Sequence, residues 1–189
     1  MISTRKIAFI GSHGVGKTTL CFELAAALKR LDLSVDLVKE VARHCPLPIN
    51  RETTGDAQNW ILHTQVAREI ELQGVYDVVV CDRAVLDNYA YLVHAEGRRP
   101  EIEPFIRHWL TTYDLLVKVP ILQAPTFDGT RDTSVEFQVG IDRLIDELLK
   151  EFSVQTLQLP QDTRVGWTSC VLQALRLPQD PPQLDLFGR

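Results

Sequence analysis

The sequence predicts an α/β fold, a three-layer sandwich in which a parallel sheet of about five strands is covered by helices. Short apolar runs alternate with helical patterns along the chain, the order of elements that buries a parallel sheet on both faces. The first passage from strand to helix is glycine-rich, GSHGVGKTT at 11–19. With 189 residues, 45% hydrophobic and 24% charged, the chain has material for one core and one compact domain.

The elements follow in order. KIAFI at 6–10 is an apolar strand, and a helix is expected from about 17 to 30. VDLVKE at 35–40 precedes a helix from about 54 to 72, and YDVVVCD at 76–82 precedes a helix running through Leu92. DLLVKV at 114–119 and VQTLQL at 154–159 complete the strands. Between them, SVEFQVGIDRLIDELLKEF at 134–152 sets Ile141, Leu144, Ile145, Leu148, Leu149 and Phe152 on one helical stripe. A last helix is expected over about 163–176, which closes a domain of residues 1–176. The remainder, LPQDPPQLDLFGR at 177–189, holds three prolines and is expected to be an extended tail.

Gly11, Gly14, Gly16, Lys17 and Thr18 stand in the arrangement G-x-x-x-x-G-K-T of a phosphate-binding P-loop. Glycines allow several backbone N–H groups to converge on one anion, and the following helix adds its positive end. Gly11, Gly14, Val15, Gly16, Lys17, Thr18 and Thr19 are the candidate contacts to ATP. Lys17 would neutralise the outer phosphates and Thr18 would ligate Mg2+. The fold class is thereby narrowed to a P-loop NTPase sandwich.

The motif fixes the ligand and leaves the reaction open. YDVVVCDR ends a strand in Asp82, placed to reach the Mg2+ or its waters. An ATP-driven machine usually follows that aspartate with a water-polarising glutamate; here Arg83 follows, suited to gripping a phosphate. No N-K-x-D guanine-reading motif accompanies DLLVKVP, which favours ATP.

KEVAR at 39–43, DRAVLDNYAY at 82–91 and DGTRDTSVEFQVGID at 128–142 resemble P-loop kinases of nucleosides and nucleotides, whose ATP-binding domain is AAA-like. The likeness is nearest to the deoxynucleoside kinase and nicotinamide riboside kinase type. It implies transfer of the terminal phosphate of Mg-ATP to a nucleoside- or nucleotide-type acceptor. It implies Glu40 as general base, Arg43 as a steering group or a surface ion pair, and Asp82 and Arg83 as the family's D-R pair. Asp87 and Tyr91, four residues apart on one helical face, either meet the acceptor or, for Asp87, cap the helix. A lid over about 121–134 would carry Arg131 to the transferring group. On the 54–72 helix, Gln58, Leu62, Gln65 and Glu69 share a mostly polar face: Gln65 either reads a base or sugar or lies in a solvated strip, with Trp60 in the core.

QLDLF at 183–187 resembles the peptide by which bacterial replication and repair proteins dock on the sliding clamp. Gln183, Leu184, Leu186 and Phe187 would enter an apolar groove, or else fold back on the domain. This keeps a second function in view, a P-loop NTPase switch acting in DNA replication or repair.

Composition narrows the rest. The net charge of -5 argues against a broad nucleic-acid-binding surface. Cys21, Cys45, Cys81 and Cys170 lack C-x-x-C pairing and read as buried free thiols. The five histidines have no metal-ligand spacing. Without a long apolar run or a signal-peptide pattern, a cytoplasmic location with no membrane contact is expected.

Overall fold

The computed structural model describes residues 3–49, 53–124 and 134–180. Five strands, β1 (Arg5–Ile10), β2 (Val35–Val38), β3 (Val78–Asp82), β4 (Leu115–Lys118) and β5 (Leu157–Gln158), form one sheet. Its order is β2-β3-β1-β4-β5, with every pairing parallel. The helices are α1 (Lys17–Arg30), α2 (Gly55–Leu72), α3 (Val85–Glu96), α4 (Glu103–Leu110), α5 (Val135–Glu151) and α6 (Trp167–Ala174), with a 3-10 turn at Val41–His44.

Alternation along the strands divides the core. Ala8 and Ile10 of β1, Val79 and Cys81 of β3, and Leu116 of β4 pack under α2, α3, α4 and α5. Ile7, Phe9, Val78, Val80 and Val117 face the other way, against α1 and α6. The expected α5 stripe is in place: Ile141, Ile145, Leu148, Leu149 and Phe152 are buried and Leu144 packs partly against them. β1 lies between β3 and β4, so the chain leaves the centre of the sheet in opposite directions. A crevice opens at the C-terminal ends of the strands, where the glycine-rich turn lies.

Three expectations need correction. β5 is two residues long, because only Leu157 and Gln158 pair with the edge of β4. The sequence reading omitted α4, an amphipathic helix with Pro104 in its first turn that buries Ile106 and Leu110. The polar strip of α2 is not solvated: Gln58, Gln65 and Glu69 are all buried. The Glu69 carboxylate accepts from Lys6 Nζ (2.7 Å), Trp109 Nε1 (2.7 Å), Tyr113 OH (2.7 Å) and Gln65 Nε2 (2.9 Å). These partners satisfy a charge that burial would otherwise make very costly. Trp60 is only half-buried and joins neither core cluster.

All four cysteines are free thiols, but only Cys21 and Cys81 are buried, and burial pushes both of these well up in pKa. Leu175 and Leu177 pack on the α1/α6 side of the core, so the chain stays on the domain slightly beyond 176. Among the described residues, no helix is long and apolar enough to cross a membrane.

Candidate active site

The turn between β1 and α1 holds its shape through glycine and through outside braces. Gly11, Gly14 and Gly16 have φ of 145°, 74° and 94°, conformations that side chains rarely adopt. A Cβ on Gly11 would stand 2.7 Å from the carbonyl oxygen of Val119, where the turn crosses the end of β4. Asp87 bridges two elements: Oδ2 accepts from Ala84 N at the start of α3, and Oδ1 from Gly11 N, both at 2.9 Å. From the opposite side, α5 contributes Gln138, whose Nε2 donates to His13 O (2.9 Å), and Asp142, which accepts from Ser12 N (3.4 Å).

Lys17 is buried and donates to the carbonyls of Gly11 (2.8 Å) and Ser12 (2.6 Å). Burial lowers its pKa to about 8, helped by the Arg83 charge and opposed by Asp87, Asp82 and Glu40. Thr18 Oγ1 donates to Asp82 Oδ2 at 2.5 Å, across the gap between the start of α1 and the end of β3. A hydroxyl and a carboxylate side by side suit a hard cation that keeps most of its waters and takes further ligands from a phosphate. Thr19 is exposed on the same helix end, while Val15 is buried beneath the turn.

Glu40 follows β2 and caps the 3-10 turn. Its Oε1 accepts from Arg83 Nε (3.0 Å) and Nη2 (2.6 Å), and its Oε2 from Arg43 Nε (3.0 Å). Arg83 carries a φ of 116°, a strained conformation for a residue with a side chain, and its carbonyl accepts from Gln65 Nε2 (3.2 Å). Burial pulls most strongly against the guanidinium charge, but Glu40, Tyr91 and Asp87 together outweigh it and hold the pKa well above the ordinary range. The Arg83 guanidinium lies 4.9 Å from the centre of the Tyr91 ring, and among the described residues its Nη1 has no hydrogen-bond partner.

Glu40, Arg43 and Arg83 line a cavity beside the phosphate loop. His13 of that loop is part of the same lining, so a ligand in the cavity borders the phosphate site directly. α2 contributes Gln58 and Ile61, and α3 contributes Asn88, Tyr91 and His94. Phe137 at the start of α5 completes an aromatic corner, its ring centre 5.3 Å from His13, 6.0 Å from Tyr91 and 5.0 Å from His94. Tyr91 OH and His13 Nδ1 are 3.1 Å apart.

Of the residues singled out from sequence, the structure thus brings together the loop, Glu40, Arg43, Asp82, Arg83 and Tyr91. Gln65 is not in the cavity lining; both bonds of its amide nitrogen go to Glu69 and to the Arg83 carbonyl. Asp87 behaves as the cap, with both oxygens taken by backbone N–H groups, and it does not line the cavity. Arg131 and most of the 121–134 lid lie outside the described residues, as do Gln183, Leu184, Leu186 and Phe187. Sequence reasoning missed His13, Gln58, Asn88, His94 and Phe137 as cavity residues. Asn88 and His13 lay inside quoted motifs, but only the packing of α2, α3 and α5 shows that they share a wall.

The AAA-domain family model matches residues 6–165, which includes every element described above from the first strand to the loop before α6. The chain belongs to the AAA-domain family. Among solved structures, this AAA-domain chain resembles a NadR protein in complex with NR at a TM-score of 0.73 and 18% identity, over 97% of this chain and 54% of that one. A NadR protein in complex with NAD and AMP-PNP gives 0.70 and 16%, over 96% and 52%. The chain therefore spans about half the length of the NadR structures it matches. Deoxyadenosine kinase from M. mycoides with bound dATP gives 0.66 and 15%, over 91% of this chain and 99% of that one. No curated protein matches in sequence. The chain shares the fold of these structures, an α/β P-loop sandwich.

Proposed function

We propose that this protein is a kinase that moves the terminal phosphate of Mg-ATP to a hydroxyl of a nucleoside-type acceptor. The observation that carries the reading is the cavity whose lining joins Glu40 and Arg83 to His13 of the phosphate loop. Similarity to a deoxyadenosine kinase and to NadR bound to NR supports the same class.

In this account the triphosphate lies on residues 11–19, with Lys17 turned from the Gly11 and Ser12 carbonyls toward the outer phosphates. Thr18 and Asp82 would hold Mg2+, which compensates charge between the phosphates when bound. The acceptor hydroxyl sits against Glu40, which takes its proton as the oxygen bonds to the terminal phosphorus and the bond to the ADP oxygen breaks. Arg43 and Arg83 keep that carboxylate aimed, and Arg83 Nη1 offers a donor to the charge that accumulates on the transferring group. Arg131, from the lid segment, is proposed to close on the same group. Positioning and charge compensation supply most of the rate in such a transfer.

The NTPase-switch reading gains less support, because a cavity with an aromatic corner has no use in simple hydrolysis. The QLDLF tail is proposed as a docking peptide for a sliding clamp on its sequence alone; loss of clamp binding on replacing Leu186 and Phe187 with Ala would test it. For the kinase reading, ADP release is measured with and without a panel of nucleosides. Acceptor-dependent release is expected; release at the same rate without acceptor would mean hydrolysis.

A further inference from the structure

Asn88 lies on α3 one residue beyond Asp87, is 2% exposed and lines the cavity. Among the described residues its Nδ2 has no hydrogen-bond partner. Its backbone N–H is engaged in the helix, donating to Ala84 O (3.4 Å), so the amide Nδ2 is left for whatever enters the cavity. Two neighbouring polar side chains are engaged: Asp87 holds two backbone N–H groups, and Gln58 Nε2 donates to Thr53 Oγ1 at 2.7 Å.

A buried amide nitrogen without a partner is uncommon, since burial removes its water without giving a replacement. The cavity it faces is lined on another side by Phe137, with His13, His94 and Tyr91 around that ring. Aromatic linings of this kind take flat rings. The asparagine amide sets an N–H donor and a carbonyl acceptor in one plane, the complement of a ring edge on which an acceptor atom stands next to an N–H donor.

We propose that Asn88 is the specificity-determining residue for the acceptor, pairing through both ends of its amide with such an edge. The chemical class is a riboside or deoxyriboside of an aminopurine, an aminopyrimidine or a ring carboxamide. This rests on the reading of the cavity as the acceptor site, and it adds which edge is read and by which residue. Asn88 acts on binding of the ring and takes no part in moving the proton or the phosphoryl group.

The test uses the full chain and matched ribosides: adenosine against purine riboside and cytidine against its analogue without the 4-amino group, which differ only in the donor, and nicotinamide riboside against pyridine riboside, which differ in the whole carboxamide. Binding is measured by calorimetry without ATP. For at least one pair the wild type should favour the donor-bearing member by about tenfold or more. Asn88→Leu should bring that ratio close to one while the melting temperature of the unliganded protein holds or rises, because no hydrogen bond is lost. A purely structural asparagine would lower the melting temperature instead. Asn88→Ala serves as the second variant if leucine does not fit, with the same loss of discrimination expected. A wild type that binds none of the six compounds, or that binds both members of every pair equally, overturns the proposal, as does a ratio that survives both substitutions. Phosphate transfer is scored separately. Asn88-dependent discrimination without any transfer would sink the kinase reading and leave the assignment of Asn88 standing.

Discussion

Glu40 and Arg83 meet at the ends of two adjacent strands, with one carboxylate oxygen accepting both Nε (3.0 Å) and Nη2 (2.6 Å) of the guanidinium. Both residues are buried, so each makes the other's charge tolerable. Glu40→Gln keeps the shape and one acceptor but removes the base. Turnover with acceptor should fall by about 100-fold or more, with ATP affinity within about threefold of wild type. Steady-state rates and nucleotide binding check both halves. Glu40→Ala, which strands the guanidinium, should instead cost about 3 kcal/mol of stability.

The Thr18 hydroxyl and the Asp82 carboxylate share one spot, 2.5 Å apart. Asp82→Asn leaves a neutral ligand there, so the Mg2+ concentration for half-maximal activity should rise by about tenfold or more. A magnesium titration reads it; an unchanged midpoint would detach Asp82 from the metal.

Lys17 titrates near 8 in the unliganded protein because burial disfavours its charge. Phosphates beside it will raise that value. ATP binding at pH 8 should therefore take up about half a proton, and almost none at pH 6.5 where Lys17 is already charged. Calorimetry in buffers of different ionisation heat measures the uptake, and Lys17→Met should abolish it. The sign for stability follows. Between about 8 and the unfolded value near 10.5 the unfolded chain binds the extra proton, so Lys17 makes unliganded stability rise with pH across that window.

Two glycines of the loop should respond differently to alanine. At Gly11 the new Cβ meets the Val119 backbone oxygen at 2.7 Å, and a backbone cannot step aside. At Gly16 the nearest atoms, at 3.1 Å, belong to the Arg164 guanidinium, the mobile end of a side chain, so the strain is mainly that of φ at 94°. Gly11→Ala should cost about 3 kcal/mol and Gly16→Ala about 1 kcal/mol. Denaturant unfolding of the two variants would show whether that order holds.

The fold was legible because its signals are local. The loop pattern, the apolar runs of β1 and β3 and the stripe of α5 each lie within a few turns of chain. Glu40, Asp82 and Arg83, singled out from sequence, stand at or just beyond the ends of β2 and β3, on the side where a parallel sheet opens its crevice. The parts misread depend on partners distant in sequence. Glu69 reads as a solvated charge until Lys6, Trp109 and Tyr113 are seen around it, and Gln65 follows Glu69 into that network. Asp87 could have met either the acceptor or a helix end; the Ala84 N–H on one oxygen ties it to the helix end, and the Gly11 N–H takes the other. The cavity wall of Asn88, Gln58 and Phe137 is drawn from three helices, and no spacing within one helix announces it.

In the kinase reading the terminal phosphate passes to an acceptor held against Glu40. The most direct test follows label from the terminal phosphate of ATP, with Mg2+ and a nucleoside panel, for wild type and Glu40→Gln. Label on one nucleoside with wild type, and none with the variant, is the predicted result. Label that appears only in inorganic phosphate, at a rate indifferent to every nucleoside and to Glu40, would contradict it.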